Sequence, residues 1–358
     1  MSKGHGSLSS TVVTSQSIPA DGSDDQVLPF QTGRAGAMGR IVRLGPCIDE
    51  ILNAHAYPEP VARVLGEALA LTAMLATTVK IEGRLILQTS TDGPLRMLVV
   101  NFDSPQSLRG YASFDDKLNS GSWDSLDQKR LLGKGHLALT IDPGGNLDRY
   151  QGIVALQGDT LTQAALTYFH QSEQLPTFLK LAVAGILVKT GVSAINSDKK
   201  KEKAHDRSKD RWHWRAGGLL VQHIAHQGGL RLSKDPSSLS EGPEDTAGPE
   251  LEHDLEGDDE NENWQRTRIL AATVEDHELI DPTLSSQRLL YRLFHEQGVR
   301  VGEPFPVEAS CRCSRERVEA FIKNVQAEEL ADLREPDGGI TVTCEFCNSA
   351  YRFAPGTV

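Results

Sequence analysis

Four of the five cysteines in this 358-residue chain fall between positions 311 and 347, as Cys311-x-Cys313 and Cys344-x-x-Cys347. A unit of about 50 residues is too small to build a robust apolar core. Its fold must therefore rest on its sulfurs. Tetrahedral zinc takes four thiolates at about 2.3 Å, and two short-spaced pairs on two turns can supply them. Such a site contributes roughly 10–16 kcal/mol of apparent binding free energy in small domains. The intervening sequence supports this. Ser314 can cap a helix over "RERVEAFIKNV", with Val318, Phe321, Ile322 and Val325 on one side. A turn at "PDGG" and a short strand "ITVT" then lead to the second pair. Two alternatives are a permanent disulfide pair and thioredoxin-like chemistry at Cys344 and Cys347, though no βαβ context surrounds the latter. The one-residue spacing of the first pair also lets its sulfurs close a small strained ring on oxidation. A purely structural site gains little from that option.

The compartment bears on this choice. Residues 1–30 lack a basic segment followed by an apolar one, and no arginine precedes Arg34. Neither a secretory signal nor a transit peptide is expected. No run of about 18 apolar residues is present. A cytosolic, reducing location is the expectation, where clustered cysteines bind metal or sense oxidants rather than form permanent disulfides. The fifth cysteine, Cys47, stands alone near a helix start and reads as a buried structural thiol.

The remaining sequence divides by pattern. Residues 1–33 are polar and aperiodic, a disordered arm, with order beginning near Arg34. Residues 34–233 read as an N-terminal, antiparallel-rich α+β domain. From Pro58 a helix recurs in Val61, Leu65, Ala68, Leu69, Thr72, Leu75 and Val79, with Pro60 in its first turn. Its other side is also apolar, so it is expected to be buried on most faces. Two strand–turn–strand units follow, turning at Asp92-Gly93 and at Pro143-Gly144-Gly145. Asp159 or Thr160 then caps a helix to about Ser172. "PTFLKLAV" and "AGGLLVQHI" are further strands. A basic insertion at about 197–215 contains Trp212 and Trp214, and residues 234–263 form an acidic tract read as disordered. Residues 235–263 hold twelve Asp and Glu and no Lys or Arg, which equals the chain's net charge of −12. Residues 264–304 form a helical linker of two helices separated by Asp281-Pro282. Ser285 or Ser286 caps the second, and Leu289, Leu290, Leu293 and Phe294 form its apolar stripe. Residues 305–358 complete the chain as the zinc unit.

Charge narrows the function classes. A net charge of −12 disfavours a broad nucleic-acid surface, which needs clustered Lys and Arg. A static zinc ribbon that binds RNA or a protein partner, assisted by the basic insertion, is the alternative reading. An enzyme is not expected. His223 and His226 form a His-x-x-His pair without a nearby glutamate, and Asp142 and Asp148 flank a turn.

Several motifs resemble one family, the redox-regulated 33-kDa heat-shock holdase chaperones of bacteria. "CRCSRER" with "CEFC" matches its paired-cysteine signature. "YPEPVARVLGEALALTAML", "DGPLRMLVV", "RYQGIVALQGDTL", "YFHQSEQLPT", "AGGLLVQ" and "LLYRLFHEQGV" follow in the family order. The likeness spans about 34–196, 214–233 and 264–355. It departs at the arm, the insertion and the acidic tract, and at Asn348, where many members have glycine; asparagine still tolerates a left-handed turn. The resemblance implies a client-binding N-terminal domain, a metastable linker and one zinc ion held by Cys311, Cys313, Cys344 and Cys347 when reduced. Oxidation would form Cys311–Cys313 and Cys344–Cys347 and release the zinc. The linker would then be freed, with unfolding clients bound and dimerisation promoted. No nucleotide-binding Gly-x-x-x-x-Gly-Lys loop is present, so the switch is expected to work without ATP.

Overall fold

The computed structural model describes residues 11–12, 24–33, 36–78, 83–115, 123, 126–145, 147–188, 211–223, 255–325, 330 and 333–356. Its centre is a helix with almost no solvent-facing side. Helix α2 (Glu59–Ala76) follows α1 (Pro46–Asn53) and buries Val61, Leu65, Ala68, Leu69, Thr72 and Leu75 on one side and Val64, Leu71 and Met74 on the other. A helix apolar all round requires partners on both flanks, and two antiparallel-rich sheets supply them.

The first sheet contains β2 (Gln26–Thr32), β3 (Ala37–Leu44), β9 (Thr177–Val188), β10 (Arg211–His223) and β11 (Val299–Val301), in the order β11-β2-β3-β10-β9. Two-residue strands β1 (Thr11–Val12) and β12 (Phe305–Pro306) pair with β11 and β2. The second sheet runs β13-β6-β5-β4-β7-β8. Its strands are β4 (Arg84–Thr91), β5 (Leu95–Asp103), β6 (Ser107–Phe114), β7 (Lys134–Asp142), β8 (Tyr150–Gln157) and β13 (Glu308–Ala309). All pair antiparallel except β13, which lies parallel to β6. A short helix α3 (Gln128–Leu132) precedes β7. Helix α4 (Leu161–Tyr168) packs against β8 and β9, and Thr160 caps it through a capping box with Gln163.

Strand period decides the layers. In β10, Ala216 and Leu220 face α2, whereas Leu219 and Val221 face away. In β3, Val42 and Leu44 face α2, while Ala37 and Ile41 face away. That outward apolar face is covered by α5 (Leu255–Ala272), α6 (Asp276–Ile280) and α7 (Ser286–Phe294), through Trp264, Ala271, Val274, Leu279, Leu289, Leu290, Leu293 and Phe294. The α+β class expected from sequence is therefore the observed one.

Four expectations need correction. The segment read as an arm contains β2, an interior strand, so order begins before Arg34. Residues 211–215 of the basic insertion belong to β10, with Trp214 packed on the main core. The last residues of the acidic tract, from Leu255, are helical. The linker has three helices, because the chain turns at Thr273–Glu275 and Glu275 starts α6 with its own capping box. The arm also supplies β1 (Thr11–Val12) and is described over 24–33; its other residues, those of the insertion before Arg211 and those of the tract before Leu255 lie outside the described residues.

Candidate metal centre and the surface beneath the linker

The C-terminal unit builds its cysteine site from two turns. Cys311 and Cys313 flank Arg312 just before α8 (Arg315–Ile322), and Ser314 caps that helix by accepting from the Arg317 amide at 3.3 Å. A hairpin of β14 (Ile340–Thr343) and β15 (Ala350–Phe353) carries the second pair at its tip. There the Cys344 carbonyl accepts from the Asn348 amide at 2.8 Å, and the Ser349 carbonyl accepts from the Cys344 amide at 2.9 Å. Asn348 takes φ +57°, the left-handed conformation that asparagine tolerates.

All four sulfurs lie within 4.8 Å of one another. Cys311 and Cys344 are 3.6 Å apart, and Cys313 and Cys347 are 3.3 Å apart. A tetrahedral ion with metal–sulfur bonds of about 2.3 Å spaces its ligands about 3.8 Å apart. The four thiols therefore fit one thiolate-bound metal. They are free thiols.

The surroundings tune the sulfurs unequally. Burial pushes the thiols of Cys311, Cys313 and Cys344 up. Burial opposes ionisation of Cys347 too, yet the Ser349 hydroxyl and amide, with help from Cys313 and Cys311, bring it down to about 7. The Tyr351 hydroxyl donates to the Cys313 sulfur at 3.1 Å, and that bond pushes the phenol up to about 12. Tyr351 and Ser349 are the supporting hydroxyls that sequence reading missed. Each lies two or four residues beyond Cys347, a spacing that a hairpin tip brings back onto the sulfurs.

Among the described residues the fully buried core of this unit is Ile322, Ile340 and Phe353, with Val318, Leu330, Val342 and Tyr351 packed against it. Three such side chains, at about 1.5–3 kcal/mol each, fall short of what a structural ion contributes. Of the expected helix stripe, Ile322 is buried and Val318 packs against the core, but Phe321 is exposed.

The linker is held by cations as well as by its stripe. Arg43, which is 1% exposed, donates to the Asp281 and Glu278 carbonyls at 2.6 Å each. Arg215 donates to the Ile280 carbonyl at 2.7 Å and forms a two-pronged ion pair with Asp24. Lys180 donates to the Val274 carbonyl at 2.7 Å. Burial, then the neighbouring Arg215, lowers the Arg43 pKa to about 10. These side chains reach carbonyls just past the end of α5 and in the last turn of α6, where helix ends leave acceptors free, and the Asp281 carbonyl accepts from the Leu284 amide as well. Gly217 permits the close approach, since a Cβ there would lie 2.2 Å from the Leu279 carbonyl oxygen. Phe294 stacks on Phe30 at 5.6 Å.

The two regions are joined by a short run of chain. After α7 it pairs as β11 and β12 along β2, buries Val307 in the main core, pairs as β13 with β6, and reaches Cys311. Two-to-three-residue strands are weak clasps, so order in the tail and order in the linker share one tether.

Other expected sites have structural roles. Cys47 is buried, and burial pushes its thiol up. Asp142 pairs with Arg149 and accepts from the Gly144 amide, as a turn requires. His223 rests near the Trp264 ring at 5.6 Å, and His226 lies outside the described residues. In the basic insertion His213 pairs with Asp49 and Arg215 with Asp24, while Trp214 packs on the core and Trp212 is exposed. No described helix is long and apolar enough to cross a membrane.

Comparisons with known proteins agree with this architecture. The profile of the Hsp33 protein family matches residues 25–354. The 33 kDa chaperonin of Caulobacter vibrioides strain NA1000 is 39% identical over 335 residues, covering 93% of this chain and 95% of its own length. That of Shewanella loihica is 34% identical over 331 residues, covering 92% and 93%. Among solved structures, the 33 kDa chaperonin (heat shock protein 33 homolog) of Thermotoga maritima superposes with a TM-score of 0.64 at 21% identity, over 92% of this chain and 95% of that one.

Proposed function

The chain belongs to the Hsp33 family, whose members are chaperones and not enzymes, and from that premise we propose that it is a redox-regulated, ATP-independent holdase of the cytosol. The observation that carries this reading is the four-thiol cluster in a unit whose described core has three fully buried side chains, tethered to helices that cover an apolar sheet face. The metal is zinc, bound by Cys311, Cys313, Cys344 and Cys347; four soft thiolates in tetrahedral spacing suit it. Bound there, the ion supplies the folding free energy that the small core lacks.

Oxidant chemistry acts on the ligands. Each cysteine pair gives up two electrons to one equivalent of peroxide or hypochlorous acid and closes a disulfide, Cys311 with Cys313 and Cys344 with Cys347. A disulfide sulfur no longer carries the thiolate charge the metal requires. The unit then loses its order, and the pull on β13, β12 and β11 loosens the end of α7. Undocking of α5, α6 and α7 uncovers the apolar face made by Leu28, Phe30, Ile41, Leu219 and Val221. An exposed face of that kind binds unfolding proteins and favours dimerisation.

The test is direct. Zinc content and free thiols are measured before and after hypochlorite, and both samples are assayed for suppression of aggregation of a thermally unfolding client. The proposal expects one zinc and four reactive thiols before, neither after, and suppression only after. Suppression by the zinc-loaded form alone, or by neither form, overturns it.

A further inference from the structure

The linker covers one apolar face, and the zinc unit itself rests on a different part of the fold. Between Cys344 and Cys347 the chain places Glu345 and Phe346. The Phe346 ring lies under the Arg109 guanidinium, 4.5 Å from its centroid, and 6.5 Å from the Tyr111 ring. Both partners stand on β6, on the side of the second sheet that faces away from α2; Leu108, Gly110 and Ala112 point the other way, into the core. On that outward side Tyr111 is opposite Val99, Val99 opposite Gln88, Gln88 opposite Ala138, and Ala138 opposite Ile153. A mostly apolar row therefore crosses the sheet from Tyr111 to Ile153, which is 59% exposed. On this side the His55 ring, in the turn after α1, also lies 5.6 Å from the Tyr111 ring.

The same unit closes the neighbouring strand edge. Glu308–Ala309 lies parallel to Ser107–Leu108, with the Glu308 amide donating to the Gln106 carbonyl at 2.7 Å and the Ser310 amide to the Leu108 carbonyl at 3.1 Å. Arg312, inside the first cysteine pair, reaches Asp103 on β5 at 3.0 Å. The resting occupant of this region is thus an extended backbone on the β6 edge plus one aromatic ring over Arg109. Strand addition and ring-on-cation contact are two general ways of holding an unfolded segment.

We propose that the β6 edge with Arg109 and Tyr111 is a second client-binding surface, specific for extended polypeptide bearing an aromatic side chain, and that β13 and Phe346 occupy it as a built-in pseudo-ligand until the zinc unit opens. The proposal rests on the chaperone reading above, and it adds a site distinct from the face beneath α5, α6 and α7. It also gives one of the two residues between the second cysteine pair a task. Phe346 couples the metal site to the sheet without touching the metal.

The experiment opens the ring-binding part of this surface, over Arg109 and Tyr111, without oxidation, while β13 stays on the β6 edge. A fluorescein-labelled peptide of residues 340–351, carrying Cys344→Ser and Cys347→Ser, is titrated into the full-length protein and followed by anisotropy. In the reduced, zinc-loaded state the wild type should bind weakly. Phe346→Ala, still zinc-loaded and with unchanged linker exchange, should bind at least roughly tenfold more tightly. Adding Arg109→Ala should abolish most of that gain, consistent with loss of a desolvated cation–ring contact. The same peptide with Phe346→Ala should bind neither protein. Equal binding by wild type and Phe346→Ala, or a gain that survives Arg109→Ala, overturns the proposal. These readings are taken on reduced protein, so they stand or fall separately from the redox switch, which is scored on oxidised wild type.

Discussion

Gly217→Ala should release the linker while leaving the cysteines untouched. The new Cβ would sit 2.2 Å from the Leu279 carbonyl oxygen, and ordinary contact begins at 3.4 Å, so α6 must move outward by about 1.2 Å. The clash is with backbone, so no rotamer change relieves it. The displacement stretches the bonds from Arg43 to Glu278 and Asp281, now 2.6 Å, and from Arg215 to Ile280, now 2.7 Å, beyond hydrogen-bonding range. Charge-assisted bonds contribute about 1.5–3 kcal/mol each. Water and relaxation recover part of that, which leaves a loss of about 3 kcal/mol in docking. At 1.4 kcal/mol per factor of ten, the undocked population rises roughly 150-fold. Hydrogen exchange of amides 264–294 in the reduced, zinc-loaded variant measures this directly, with binding of a hydrophobic dye as a second readout. Protection equal to wild type, with zinc retained in both, would refute the reasoning that cations of the first sheet hold the linker down.

Tyr351→Phe removes the hydroxyl that donates to Cys313, and a lost supporting bond of this kind lowers metal affinity by about 10- to 100-fold; a chelator competition should show it, and unchanged affinity would count against the role. Glu67 on α2 is pushed up to about 7, chiefly by burial, with Gln128 donating to it. Its folded pKa lies above its unfolded value, so the folded state holds the extra proton and this group costs stability as pH rises from about 4.5 through 7. Glu67→Gln should therefore raise stability at pH 8 by on the order of 1–2 kcal/mol and flatten the dependence below pH 7, as read from denaturant melts at both pH values; an equal effect at pH 5 and 8 would contradict it.

What the sequence disclosed follows from where the signal is local. The buried helix, the two hairpins and the paired cysteines each repeat within a few residues, and all are found in the structure. Strand β2 escaped because Pro29 interrupts it and Asp and Ser crowd its approach, while its strand character comes from pairing with β3 and β11. Strands of two or three residues such as β12 and β13 carry no period at all. Arg215 read as one charge in a solvated run, yet β10 continues through it and turns its guanidinium toward Asp24 and the linker. Arg43 gave no signal, since an isolated arginine between apolar residues is indistinguishable from a surface charge until its distant carbonyl partners are known. The turn at Thr273–Glu275 was missed because the apolar spacing continues across it.

The coupling between the sulfur cluster and the linker is tested most directly by hydrogen exchange on one sample, before and after hypochlorite removes the metal. Amides in 311–353 and in 264–294 are expected to lose protection together, while those of α2 keep theirs. Loss confined to 311–353, with the linker as protected as before, would contradict it.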